Sequence, residues 1–216
     1  MIVCETYTNP EPYSDPKKQG GFGEGRPSWA DECLERFPKG VFVQWTCDQF
    51  VQPHVRKSGF KWTKAGSVSN KDRQNVMRAH FSTYWMGRRN ELAIDWIAEM
   101  VQKSMAANFD AISIFGEMSP VNAGPELNYL ALENYGSAAN PRADLDVFLE
   151  QVAGPLLGGA AQARQYLQCA RLLDGKREKI PEALKDIYAQ CGKYPPQIAH
   201  RWAWLGEYLN SYRDES

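Results

Sequence analysis

The sequence is poor in the residues from which metal sites and disulfide frameworks are built. It holds three histidines and five cysteines, Cys4, Cys33, Cys47, Cys169 and Cys191. An odd number of cysteines with no C-x-x-C pair fits neither a disulfide scaffold nor a zinc site, so no metal and no cofactor is expected. Reduced thiols and the lack of a signal peptide before the first strand point to the cytoplasm, for the chain as written; a truncated N-terminus would leave the compartment open. Long apolar runs are missing too. The stretch from Val152 to Leu157 is interrupted and far too short to span a bilayer, which argues against a membrane partner. Nor is there an excess of either charge. With 25 basic and 26 acidic residues the formal net charge is −1, and no nucleic-acid partner is expected.

What the chain does have is the mixture of an ordinary globular protein, 43 % hydrophobic and 24 % charged, which excludes disordered and collagen-like chains. Its 216 residues suit one large domain or two small ones. Aromatics are plentiful, with seven Trp, ten Tyr and nine Phe, and many fall near predicted strand ends.

Four segments read as strands. Ile2 to Tyr7 is apolar and β-prone and is stopped by Asn9-Pro10. Residues 9–27 are rich in Pro and Gly and form a loop. Ser28 caps a short helix that Pro38 closes. Val41 to Cys47 is the second strand, and Asp48 to Gln74 is a long loop. Asn75 to Phe81 is the third strand. A helix follows, whose Leu92, Ile94, Trp96, Ile97, Met100, Val101, Ser104 and Met105 share one face. Ala111 to Phe115 is the fourth strand and runs into Gly116-Glu117. Beyond it the expected helices are Glu126 to Tyr135, Asp144 to Val152, Ala160 to Leu173, Pro181 to Gln190 and Ile198 to Tyr212.

Strands alternating with helices and long loops predict an α/β fold with a parallel sheet and right-handed crossovers. A closed eight-stranded barrel takes about 250 residues, so four strands in about 115 residues correspond to half of one. The expectation is a partial (β/α) TIM-barrel-like sheet over 1–140, with an α-helical region over 141–216 packed on it.

In parallel α/β proteins, ligands bind at the carboxyl ends of the strands. The first strand offers Glu5 and Tyr7 there, and the second Trp45 and Asp48. The third offers His80, Tyr84 and Trp85, and the fourth Glu117. Aromatic faces stack on the C–H faces of sugar rings, and carboxylates accept hydrogen bonds from hydroxyls. Two carboxyl groups flanking a glycosidic bond serve as acid and as base or nucleophile. The same residues also have plainer readings: Glu117 as the partner of an arginine such as Arg78, Asp48 as a turn former, His80 as a hydrogen-bonded interior histidine. Trp96 and Trp202 read as core residues, His200 as a helix-surface residue, and Gly20 to Gly25 as a loop with no phosphate-binding pattern.

The run from Asn108 to Pro120, NFDAISIFGEMSP, followed by Glu126 to Leu132, resembles the last strand and following helix of bacterial glycoside-hydrolase-like (β/α) barrels. Val41 to Asp48, and His80 with its aromatic followers, are similar to the preceding strand ends. The likeness covers residues 1–155. It implies a carbohydrate ligand and hydrolysis of a glycosidic bond, with Glu117 and Asp48 as the matching carboxylates; Glu5, Tyr7, Trp45, His80, Tyr84 and Trp85, read from the strand ends, are the expected sugar contacts. Such enzymes need a whole barrel, so the likeness also implies a homodimer or a missing N-terminal half. The alternatives are a non-catalytic carbohydrate-binding or assembly protein and a fragment of a barrel hydrolase.

Overall fold

A computed structural model describes residues 3–6, 36, 38–46, 74–80, 89–106, 109–115 and 122–213. The predicted loops over 9–27 and 48–74 and the short helix after Ser28 lie outside them. The fold is mixed α/β and mostly helical, and the chain divides into two compact units, 1–80 with 99–115 and 81–98 with 116–216.

The first unit holds a four-stranded sheet of β1 (Val3–Thr6), β2 (Phe42–Thr46), β3 (Asn75–His80) and β4 (Ala111–Phe115). The strands lie in the order β1-β2-β3-β4, and every neighbouring pair is parallel. Val43 and Met77 are fully buried, and Asn75, Val76 and Arg78 nearly so. Consecutive burial from Asn75 to Arg78 means that both faces of β3 are covered, as an apolar parallel strand requires. β4 is half-buried along Ala111 to Ile114 instead. The edge away from the strands' carboxyl ends is tied by Asp110. Its carboxylate accepts from the Asn75 N–H at 2.7 Å, and its own N–H donates to the Asn75 carbonyl at 2.9 Å.

Helix α1 (Ile94–Ala106) starts in the second unit and ends in the first. Leu92, Ile94, Trp96, Ile97, Met100, Val101 and Ser104 are all buried, as their spacing predicts, but Met105 is 51 % exposed. At 100° per residue Met105 lies between the buried Ile94 and Ala98, and it is exposed because it stands in the last turn of the helix, one residue before its end.

The second unit continues with α2 (Ala123–Tyr135), α3 (Leu145–Phe148), a π-helical turn (Leu149–Ala153) and α4 (Gly154–Leu157). Then come α5 (Ala160–Ala170), a 3₁₀ turn (Arg171–Asp174), a second one (Arg177–Lys179), α6 (Ile180–Cys191) and α7 (Pro196–Tyr212). The sequence spacing predicts an unbroken helix from Asp144 to Val152. The π turn interrupts it by admitting one extra residue per turn, which no local motif announces. Asp144 does cap α3, its side chain accepting from the Asp146 N–H at 2.8 Å.

The core of this unit is built around Trp202, which is fully buried. Its indole N–H donates to the Leu157 carbonyl at 3.0 Å, and Tyr166 meets its ring edge-on at 5.2 Å. The Tyr166 hydroxyl donates to the Arg201 carbonyl at 3.0 Å. Every polar atom brought into this centre by the two large rings thus has a partner, and their burial is uncompensated gain. Two ion pairs fasten helices far apart in sequence. Arg201 forks onto Glu126 at 2.6 and 2.9 Å, and Arg171 onto Asp95. Asn128 accepts from the Ala93 N–H at 2.7 Å and donates to the Glu91 carbonyl at 2.8 Å, so α2 holds the segment entering α1.

Candidate functional site

Parallel pairing in sequence order brings the carboxyl ends of all four strands to one edge of the sheet. Three of the residues predicted for a site belong to described strands. Glu5 is the penultimate residue of β1, Trp45 the penultimate residue of β2 and His80 the last of β3. Tyr7, Asp48, Tyr84, Trp85 and Glu117 lie outside the described residues. In sequence, Tyr7 directly follows β1, while Asp48 and Glu117 each come two residues after the ends of β2 and β4.

The register sorts the strand residues into rows. Glu5 pairs with Gln44, Gln44 with Val76 and Val76 with Ala111. Thr6, Trp45, Met77 and Ile112 form the next row, and Thr46, Arg78 and Ser113 the one after. His80 pairs with Phe115 in the last row. Successive rows alternate between faces because strand side chains alternate. Among the residues whose side chains are described, one face therefore carries Gln44, Val76, Arg78, Ala111 and Ser113, and the other Val43, Asn75, Met77, Ile112 and Ile114.

Arg78 is the residue that sequence reasoning undervalued, naming it only as a partner for Glu117. It lies at 4 % exposure in the row between those of Glu5 and His80. Burial lowers its pKa below the ordinary guanidinium value. A buried guanidinium is held only where anionic or strongly accepting groups face it. Its signal in the sequence was period two: Val76, Arg78 and His80 alternate with Met77 and Ala79, so apolar positions end and polar ones begin toward the carboxyl end of the strand. The Arg78 guanidinium supplies a fixed cation two residues before the carboxyl end of β3.

No family model, curated protein or solved structure matches the chain. Among the described residues, no group of three or more His, Cys, Asp and Glu is arranged to hold a metal ion, and no helix is long and apolar enough to cross a membrane.

Proposed function

We propose that the chain is a carbohydrate-active protein that hydrolyses a glycosidic bond, and that its sheet is half of a (β/α) barrel. One observation carries this reading: four parallel strands in unbroken sequence order, with their carboxyl ends on one edge. A doubly wound sheet reverses direction at its middle, whereas a barrel advances one strand at a time, as this sheet does. At that edge the sequence supplies the acids Glu5, Asp48 and Glu117 and the aromatics Tyr7, Tyr84 and Trp85. The face that bears Arg78 and Ser113 then lines the interior, and the opposite face, with Met77 and Ile112, packs outward on helices.

In this reading Glu117 and Asp48 flank the scissile bond. One protonates the departing glycosidic oxygen. The other attacks the anomeric carbon or takes a proton from the attacking water, depending on whether the carboxyl groups stand about 5 Å or 6.5–9.5 Å apart. Glu5 and His80 accept hydrogen bonds from sugar hydroxyls, and the aromatics cover the ring faces. The rest of the barrel comes from a second copy or another chain.

The test is Glu117→Gln, assayed for release of nitrophenol from a panel of aryl glycosides and of reducing ends from polysaccharides. The variant is expected to lose about 10²–10⁴ in kcat while keeping the rise in Tm that the sugar causes. Unchanged turnover would sink the assignment of Glu117. A wild-type chain that no glycan hydrolyses on, but that sugar stabilises, would be a carbohydrate-binding protein instead.

A further inference from the structure

The helical unit contains an open cleft of about 630 Å³, within the size range of small-molecule sites. All its lining residues belong to the second unit. Its walls come from the last turns of α5, the 3₁₀ turn that follows, the connection to α6 and the first turn of α1.

The charges in the cleft divide into two groups. Arg171 and Asp95 satisfy each other. The guanidinium donates through Nε to Asp95 Oδ2 at 2.9 Å and through Nη2 to Asp95 Oδ1 and to the Leu92 carbonyl at 2.8 Å. It also lies 4.0 Å over the Trp96 ring, with Asp174 at 3.8 Å on its other side. Both carboxylates of the cleft are thus engaged by one cation that is held in several directions. Lys176 and Lys179 are different. Both are exposed, and neither forms an ion pair among the described residues. The neighbouring Arg177 is occupied elsewhere, donating to the Leu173 and Tyr212 carbonyls. The charge left over in the cleft is therefore positive.

The uncharged lining is of two kinds. Leu167 and Leu172 are half-buried and give an apolar surface beside the lysines. Gln168 adds an exposed amide to the lining. Because Arg171 is already fixed by Asp95, Leu92 and Trp96, the floor is formed before any ligand arrives, and little ordering is required on binding.

We propose that this cleft binds a small organic anion, its apolar or aromatic body against Leu167 and Leu172 and its carboxylate or phosphate group between Lys176 and Lys179. The Gln168 amide donates to the same anionic group. A cationic ligand is disfavoured because Arg171 has taken both carboxylates. A neutral one would leave the two ammonium groups unused.

The test measures binding to the full chain by calorimetry and thermal shift at constant ionic strength, with phenyl phosphate, benzoate, inorganic phosphate and benzyl alcohol as probes. Phenyl phosphate or benzoate is expected to bind saturably. Phenyl phosphate should exceed inorganic phosphate about tenfold, the value of roughly 60 Å² of buried apolar surface. Replacing both lysines, Lys176→Ser with Lys179→Ser, should weaken anion binding about tenfold, at threefold to fivefold for each exposed charge. Both side chains are exposed, and an unchanged ligand-free Tm and far-ultraviolet spectrum would confirm that the double variant folds. Leu167→Ser should reduce binding of phenyl phosphate and leave that of inorganic phosphate as it was. Preference between phenyl phosphate and benzoate would assign the anionic group as phosphate or carboxylate. The proposal is overturned if no anion binds saturably, if benzyl alcohol binds as well as the anions, or if the double lysine variant retains full affinity.

Discussion

Two buried tyrosines of the helical unit show how differently one hydroxyl can be housed. Tyr166 donates to the Arg201 carbonyl, whereas the Tyr135 hydroxyl is buried without a hydrogen-bond partner among the described residues, its ring packed at 5.5 Å on Phe148. Tyr135→Phe removes an unsatisfied group and is expected to leave stability unchanged or raise it by up to about 1 kcal/mol, while Tyr166→Phe lowers it by about 1 kcal/mol. Urea titration of the two variants checks this. Burial pushes both phenols above their ordinary pKa of 10.0, with Asp95 and Asp144 adding to the effect at Tyr135. Burial likewise raises the Cys169 thiol from 9.0 to about 11. All three groups are neutral when protonated and ionise more readily in the unfolded chain. Their stability contribution is whole below pH 9.0 and falls as the pH rises through 9.0 for Cys169 and 10.0 for the tyrosines. Tm measured against pH should therefore decline on the alkaline side, and less steeply in Tyr135→Phe. An identical decline in that variant would contradict the assignment. None of this was legible in the sequence, where Tyr135 and Tyr166 are equally placed on helices and the acids and carbonyl near them come from distant segments.

At the scale of elements, boundaries marked by local chemistry were legible. All four strands lie within the predicted segments because Gly, Pro or polar residues bracket each apolar run. Trp96 and Trp202 are core residues, and His200 is exposed on α7, as helical periodicity predicts. The breaks that were missed depend on tertiary contacts. The predicted helix from Ala160 to Leu173 tightens to 3₁₀ at Arg171, where the guanidinium reaches back to Asp95. The turn between α4 and α5 depends on Gly158, whose φ is +101°. A β-carbon there would stand 2.6 Å from Cε1 of Tyr194. Gly158→Ala combines a left-handed backbone with overpacking and should destabilise by about 2–4 kcal/mol. Gly40, at φ +85° with nothing within 4 Å, isolates the backbone effect, and Gly40→Ala should cost only about 1 kcal/mol. Denaturant midpoints of the two variants give the comparison directly, and equal losses would refute the steric role of Tyr194.

At the scale of the whole molecule, the order and direction of the strands were legible, since short connections and right-handed crossovers leave few topologies for strands alternating with helices. The distribution of residues between the two faces was not, because a single-residue shift in register exchanges them. Arg78 came to stand beside Ser113, and Met77 beside Ile112, through pairings set between strands rather than within them. In the proposed half-barrel, the flanks of β1 and β4 remain open for another chain. Light scattering at micromolar concentration is then expected to give a mass above the 24.5 kDa of one chain, and a stable monomer would count against completion by a second copy.

The division of α1 between the two units also sets an order of events on the ribosome. Every residue of the sheet unit has been synthesised by Phe115, about a hundred residues before α7 is complete. The helical unit must wait, because Arg201 reaches back to Glu126 and Arg171 to Asp95. At about 5–20 residues per second, Asp95 and Trp96 wait roughly 3–11 seconds after Phe115 for Arg171, which pairs with one and covers the ring of the other. During that interval the first turn of α1 presents Trp96 without Arg171 over its ring, so a chaperone that captures apolar segments would meet this chain at Ile94 to Ala98.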